Sequence, residues 1–75
     1  MSEKYTVYYG PSCSWCHRAL DLLISSNAHV ELKSVSVEEH KAHIVGLGFK
    51  TVPQIWHGEK HIGGFEKLVE HMKNG

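Results

Sequence analysis

The chain has 75 residues, with eight basic side chains, eight acidic side chains and two cysteines. A chain this short buries only about 60% of the surface that its unfolded form exposes, which predicts one domain over residues 1–75 with any chemistry near its surface. The formal charge of zero argues against a nucleic-acid partner, and two cysteines cannot build a disulfide scaffold.

The first half of the chain predicts a β-α-β unit. Tyr5–Tyr9 is β-branched and aromatic throughout and stops at Gly10, which is typical of a strand that enters a loop. Apolar side chains recur every three or four residues over residues 13–27, which predicts a helix. Cys13 or the preceding serine is the predicted N-cap, and Asn27 the left-handed residue at the C-terminus. Residues 30–37 predict the next strand.

The second half predicts two more helices and a hairpin. Residues 36–39 have the S-x-x-E form of a capping box, which predicts a short helix that ends at glycine. Residues 51–56 predict a strand, residues 57–60 a turn and residues 61–62 the returning strand. A last helix follows from the apolar spacing of residues 65–72. The fold class is therefore α/β, with a four-stranded mixed sheet in β-α-β-α-β-β-α order.

The cysteines form a C-x-x-C pair, Cys13-Ser14-Trp15-Cys16, where a helix begins. The polar start and the lack of an apolar run of about 20 residues predict a cytoplasmic chain without a membrane span. In the cytoplasm, a C-x-x-C pair is typical of redox chemistry. Unsatisfied amides at the helix start favour a thiolate at Cys13, the predicted nucleophile. Cys16 lies on the apolar stripe and is predicted to resolve a mixed disulfide.

Two metal-binding alternatives use the same cysteines. Together with His17 they read C-x-x-C-H, the attachment pattern of haem c, although that chemistry is usually placed outside the cytosol. Zinc could bind Cys13, Cys16, His40 and His43, but two residues between the histidines is a tighter spacing than usual. Disulfide chemistry remains the favoured interpretation.

Three motifs, in order, resemble the glutaredoxins between Val7 and Leu68. Residues 13–20, C-S-W-C-H-R-A-L, are similar to the family's C-P-Y-C-H-R-A segment; residues 51–55 match T-V-P-Q-I; and residues 61–64 match H-I-G-G. The resemblance implies a thioredoxin-like fold with helices packed on the sheet. It also implies a thiol–disulfide oxidoreductase without a tightly bound cofactor, which uses glutathione as co-substrate.

The resemblance further implies a site for substrate and glutathione. Its expected members come from three segments: Trp15, Thr51, Val52, Pro53, Gly63, Gly64, Phe65 and Glu66. Pro53 is expected to be cis, in a loop that faces Cys13. The two glycines are expected to present amides to the γ-glutamyl carboxylate of glutathione. Trp15 is expected to be exposed and to contact a partner.

The chain departs from the family pattern at three positions. Ser14 replaces a common proline, Gly10 stands where a lysine often helps to hold glutathione, and Lys67 replaces an acid that meets the glutathione ammonium. Glu66 could supply the lost acidic contact.

The expected partners are disulfide-containing proteins and glutathione. The protein itself is expected to be a monomer. Phe65 is also similar to phage-type glutaredoxins and to glutaredoxin-like proteins that reduce ribonucleotide reductase with electrons from thioredoxin reductase. Those two enzymes are therefore alternative partners. An iron–sulfur cluster bridged between two protomers, known for some glutaredoxins, is a third use of the cysteines.

Overall fold

The computed structural model describes residues 4–74, which form four strands and three helices. The elements in chain order are β1 (Tyr5–Tyr9), α1 (Ser14–Ser25), β2 (Val30–Ser34), α2 (Glu38–Gly46), β3 (Gln54–His57), β4 (Lys60–Gly63) and α3 (Phe65–Asn74). The predicted element order is confirmed. No helix within the described range is long and apolar enough to span a membrane.

The strands form one mixed sheet in the order β2-β1-β3-β4. β1 lies in the centre, parallel to β2 and antiparallel to β3, so that Val7 stands opposite Leu32 on one side and Ile55 on the other. β4 returns antiparallel to β3 through the turn at Gly58, whose φ of 64° is readily adopted by glycine. The predicted four-stranded mixed sheet is confirmed.

Successive side chains along the strands point to opposite faces of the sheet and pack against different helices. Val7 and Ile55 are fully buried in a core with Leu23 of α1 and Leu68 of α3. Tyr8 points to the opposite face, where its ring stacks on His43 of α2 at 5.8 Å between centroids. Helices α1 and α3 therefore cover one face, and α2 lies on the other.

Several predicted element boundaries differ from the observed ones. The second strand ends at Ser34, and β3 starts at Gln54, after Pro53. The capping box at residues 36–39 does not form, because α2 starts one residue too late for it. Val37 is the N-cap and makes no side-chain cap bond, while the Ser36 amide donates to Ser34 Oγ in the preceding turn.

Candidate active site

Cys13 lies at the N-cap of α1, directly after the loop that follows β1. Its Sγ accepts a hydrogen bond from the Cys16 amide at 3.2 Å, so a sulfur occupies the position that a serine or aspartate oxygen usually takes. The residue is partly exposed. One of the two predicted N-cap residues is thus confirmed, and it places this sulfur at the positive end of the helix dipole.

Cys16 lies one turn further along α1, and its side chain is only 1% exposed. Both cysteines are free thiols. Burial, followed by a hydrogen bond to the Cys13 side chain, raises the pKa of the Cys16 thiol to about 12. The pair is thus asymmetric: one sulfur is accessible at a helix terminus, and the other is protonated and covered behind it.

The loop before β3 brings a proline to the cysteines. The Val52–Pro53 peptide bond is cis, as expected, and the Cys13 thiol donates to the Val52 carbonyl oxygen at 3.6 Å. Gly10 packs against both segments: a Cβ atom there would make ordinary contacts, 3.4 Å from Val52 Cγ2 and 3.7 Å from Cys13 Cβ. The packing role of Gly10 was not predicted from the sequence.

A groove of about 320 Å³ lies beside this loop. It is lined by Trp15, Val52, Pro53, Gly64, Phe65, Glu66 and Lys67. Six of the eight residues expected in the substrate site therefore meet in one concave surface. The groove connects α1, the proline loop and the first turn of α3, whose amides lack acceptors within the helix.

Thr51 is not part of this groove. Its carbonyl oxygen and its Oγ1 accept hydrogen bonds from Gln54 Nε2 at 2.9 and 3.2 Å, and it lines a separate cavity beside α2. Gln54 is buried, and its Oε1 lies 2.8 Å from His61 Nε2. Gln54 thus joins the proline loop to β4, a role that the T-V-P-Q motif could have signalled.

Gly63 does not line the groove either, although Gly64 does. Gly63 has φ 121°, and a Cβ atom there would lie 3.1 Å from Lys67 Cγ. The carbonyl oxygen of Gly64 accepts the Leu68 amide at 3.0 Å and so begins α3. The first glycine therefore allows the backbone to turn into the helix, while the second faces the groove.

Replacing Gly63 with alanine should destabilise the protein by about 1–3 kcal/mol, because its φ is strained for any residue with a side chain. Gly64→Ala is the matched control: its Cβ would lie 3.7 Å from the Pro53 oxygen, an ordinary contact. Urea unfolding of both variants measures the difference. Equal stability of the two variants would contradict this assignment.

Trp15 forms the rim of the groove and is 49% exposed, as expected. Its ring lies 5.5 Å from the Phe65 ring, and Arg18 Cζ lies 5.0 Å from its centroid. The two aromatic rings and the guanidinium form an amphipathic edge that a partner can cover.

The cysteines do not converge with the two histidines of the zinc alternative. In the part of the chain that the structure describes, no three His, Cys, Asp or Glu side chains are placed to hold one metal ion. His40 and His43 lie around the Tyr8 ring instead.

A model of the glutaredoxin family matches residues 5–62 of the chain. The chain belongs to the glutaredoxin family. It is 37% identical over 76 aligned residues to a glutaredoxin of Neisseria meningitidis, covering 97% of this chain and 89% of that protein. As a member of this family it is a thiol–disulfide oxidoreductase.

Solved glutaredoxin structures are similar over nearly the whole chain. The solution structure of glutaredoxin from Brucella melitensis superposes with a TM-score of 0.79 at 29% identity, covering 99% of this chain and 83% of that one. The crystal structure of a buckwheat glutaredoxin–glutathione complex has a TM-score of 0.80 at 26% identity, covering 97% and 71%. The thioredoxin-like fold implied by the motifs is confirmed.

Proposed function

We propose that this glutaredoxin reduces disulfides through Cys13 and Cys16, and that glutathione supplies the electrons. The observation that carries the proposal is the asymmetric thiol pair at the edge of the groove. The partly exposed Cys13 sulfur lies at the helix start beside the Val52 carbonyl, whereas the Cys16 thiol is buried and protonated behind it. An attacking thiolate must be accessible, and a resolving thiol must be protected until it is needed.

In the first step, the Cys13 thiolate attacks one sulfur of the substrate disulfide. A bond forms between Cys13 Sγ and that sulfur, and the other substrate sulfur leaves as a thiolate. The Cys16 amide, 3.2 Å from Cys13 Sγ, stabilises the negative charge before the attack. The product is a mixed disulfide at the edge of the groove.

In the second step, Cys16 loses its proton to solvent and attacks Cys13 Sγ. The Cys13–Cys16 disulfide forms, and the rest of the substrate leaves as a thiolate. The chain has then given two electrons to the substrate. Two glutathione molecules restore the dithiol in two further exchanges and leave as oxidised glutathione.

The groove supplies features that suit glutathione. The first-turn amides of α3 favour a carboxylate, and Glu66 offers an acidic partner to the γ-glutamyl ammonium. Val52 and Pro53 line the side of the groove nearest the thiols, where the glutathione cysteine would react. The buckwheat glutaredoxin, a structural neighbour, was solved as a glutathione complex, which supports glutathione as the ligand.

Thioredoxin reductase is a second candidate electron source. It is favoured by Lys67, a cation that lines the groove at the position where the family pattern has an acid for the glutathione ammonium. Gly10 also leaves the thiols without the lysine that many family members use for glutathione. A protein reductant would contact the exposed Trp15 rim and would not need these charges, and the reduced substrate in that case could be ribonucleotide reductase.

The two candidates are separated by supplying electrons to the oxidised protein from either source. We expect glutathione with glutathione reductase to support turnover at least about tenfold faster than thioredoxin reductase, measured by NADPH consumption. Glu66→Gln should raise KM for a glutathionylated substrate about three- to tenfold, since a charged hydrogen bond of about 1 kcal/mol is lost.

Glu59→Gln is the matched control, because this exposed carboxylate lies in the hairpin turn and does not line the groove. It should leave KM unchanged. Turnover that depends on thioredoxin reductase alone would refute the glutathione proposal and leave the thiol mechanism standing.

A further inference from the structure

Two histidines meet at the end of the sheet opposite the cysteines. His57 ends β3 and His71 lies in the last turns of α3, with His57 Nδ1 at 2.9 Å from His71 Nε2. His57 pairs with Tyr5 at the start of β1, whereas the proline loop meets β1 near its other end. The proposed redox reaction does not use this pair.

The two rings are held rigidly enough to form a preorganised site. The Tyr5 ring stacks on His57 with 4.1 Å between centroids and an angle of 3°, and Tyr5 belongs to the core. The planes of His57 and His71 make an angle of 80°, so two ring nitrogens converge from different directions. Both rings line a cavity of about 270 Å³ together with Tyr5 and Met72.

The distance between the nitrogens is close to what a shared metal ion requires. Two imidazoles bound to a tetrahedral cation at about 2.0–2.1 Å place their nitrogens about 3.3 Å apart. The observed 2.9 Å therefore needs an opening of about 0.4 Å, together with a rotation of the rings that aims both nitrogen lone pairs at the ion. Without metal, one ring donates its N–H to the other, as neutral imidazoles do.

The charges around the pair act in opposite directions on a bound cation. The C-terminal carbonyls of α3 place the negative end of the helix dipole near His71. Lys60 is the unfavourable neighbour, but it is exposed to solvent.

We propose that His57 and His71 form a two-imidazole site for a late first-row divalent cation of the Zn²⁺ and Cu²⁺ class. No third His, Cys, Asp or Glu side chain joins them among residues 4–74, so water completes the coordination and the ion is exchangeable. When the ion binds, the donor ring shifts its proton to its other nitrogen. A neutral pair therefore binds the ion without net loss of a proton.

The site is tested with Zn²⁺ as the probe, because zinc has no redox chemistry. The full chain carrying Cys13→Ser and Cys16→Ser is used, so that no thiol competes for the ion. Histidine side-chain NMR should show saturable binding of one equivalent, with the ring nitrogen signals of His57 and His71 shifting first. Both His57→Ala and His71→Gln, added separately, should weaken binding at least tenfold.

His29→Ala is the control, because this exposed histidine should contribute nothing to the affinity. Two variants are used so that at least one retains the folded signals needed for the comparison. Zinc affinity unchanged in a folded variant of either histidine would overturn the proposal. Shifts confined to other histidines, or no saturation below millimolar zinc, would overturn it as well. Because the test contains no thiol, its result is independent of the proposed redox function.

Discussion

Cys13→Ser is expected to lower disulfide reduction by about three orders of magnitude or more, the scale of losing an essential nucleophile. A serine hydroxyl does not ionise near neutral pH and cannot form a mixed disulfide. Serine is also a good N-cap, so it can accept the Cys16 amide in place of the sulfur and preserve the start of α1. The loss should therefore be chemical and not a loss of fold.

The measurement is turnover of a mixed-disulfide substrate, with thermal unfolding recorded in parallel. Ser12→Ala is the matched control, since this exposed neighbour precedes the N-cap and does not line the groove. It should retain turnover. Full turnover in the Cys13→Ser variant would contradict the assignment of Cys13 as the nucleophile.

The Cys16→Ser variant is expected to stop the reaction after the first step. The Cys13 mixed disulfide should accumulate with protein substrates, and its release should slow at least about a hundredfold when no external thiol is present. Added glutathione should release it by attacking from outside, so glutathione-linked turnover is retained. Mass spectrometry of the acid-quenched protein measures the trapped adduct. Release at the wild-type rate would show that another group resolves it.

The wild-type protein should release the same adduct faster as pH rises. The Cys16 pKa of about 12 in the reduced protein has burial as its first cause and the Cys13 side chain as its second. Once Cys13 is in a mixed disulfide, its thiol no longer contributes and burial remains the main cause. The thiolate fraction, and with it the rate, should still rise about tenfold per pH unit between pH 6 and 8. A flat pH profile would contradict resolution by Cys16.

The local pattern predicts those parts of the molecule that depend on neighbours in sequence. The three-residue spacing of Cys13 and Cys16 at a helix start predicted their asymmetry, because α1 places one sulfur at its terminus and the other on its buried face. The left-handed Asn27 was predicted on the same basis and has φ 58°. The resemblance of three motifs then supplied the family and the thioredoxin-like fold.

Two residues of the matching motifs have roles that the sequence did not predict. Thr51 and Gly63 belong to motifs that match the family, yet the first bonds Gln54 and the second serves a turn, so neither lines the groove. The capping box did not form because Val37 takes the N-cap position, while the Ser36 amide bonds Ser34 Oγ in the turn after β2.

The sequence by itself determined the element order and the asymmetric placement of the thiol pair, because each depends on spacing within one helix or strand. Only the tertiary structure placed the Val52 carbonyl at Cys13 and joined His57 to His71 across 14 residues of chain. Such encounters depend on strand pairing and on how α3 packs against the sheet, since residues far apart in sequence meet only when the whole chain is folded.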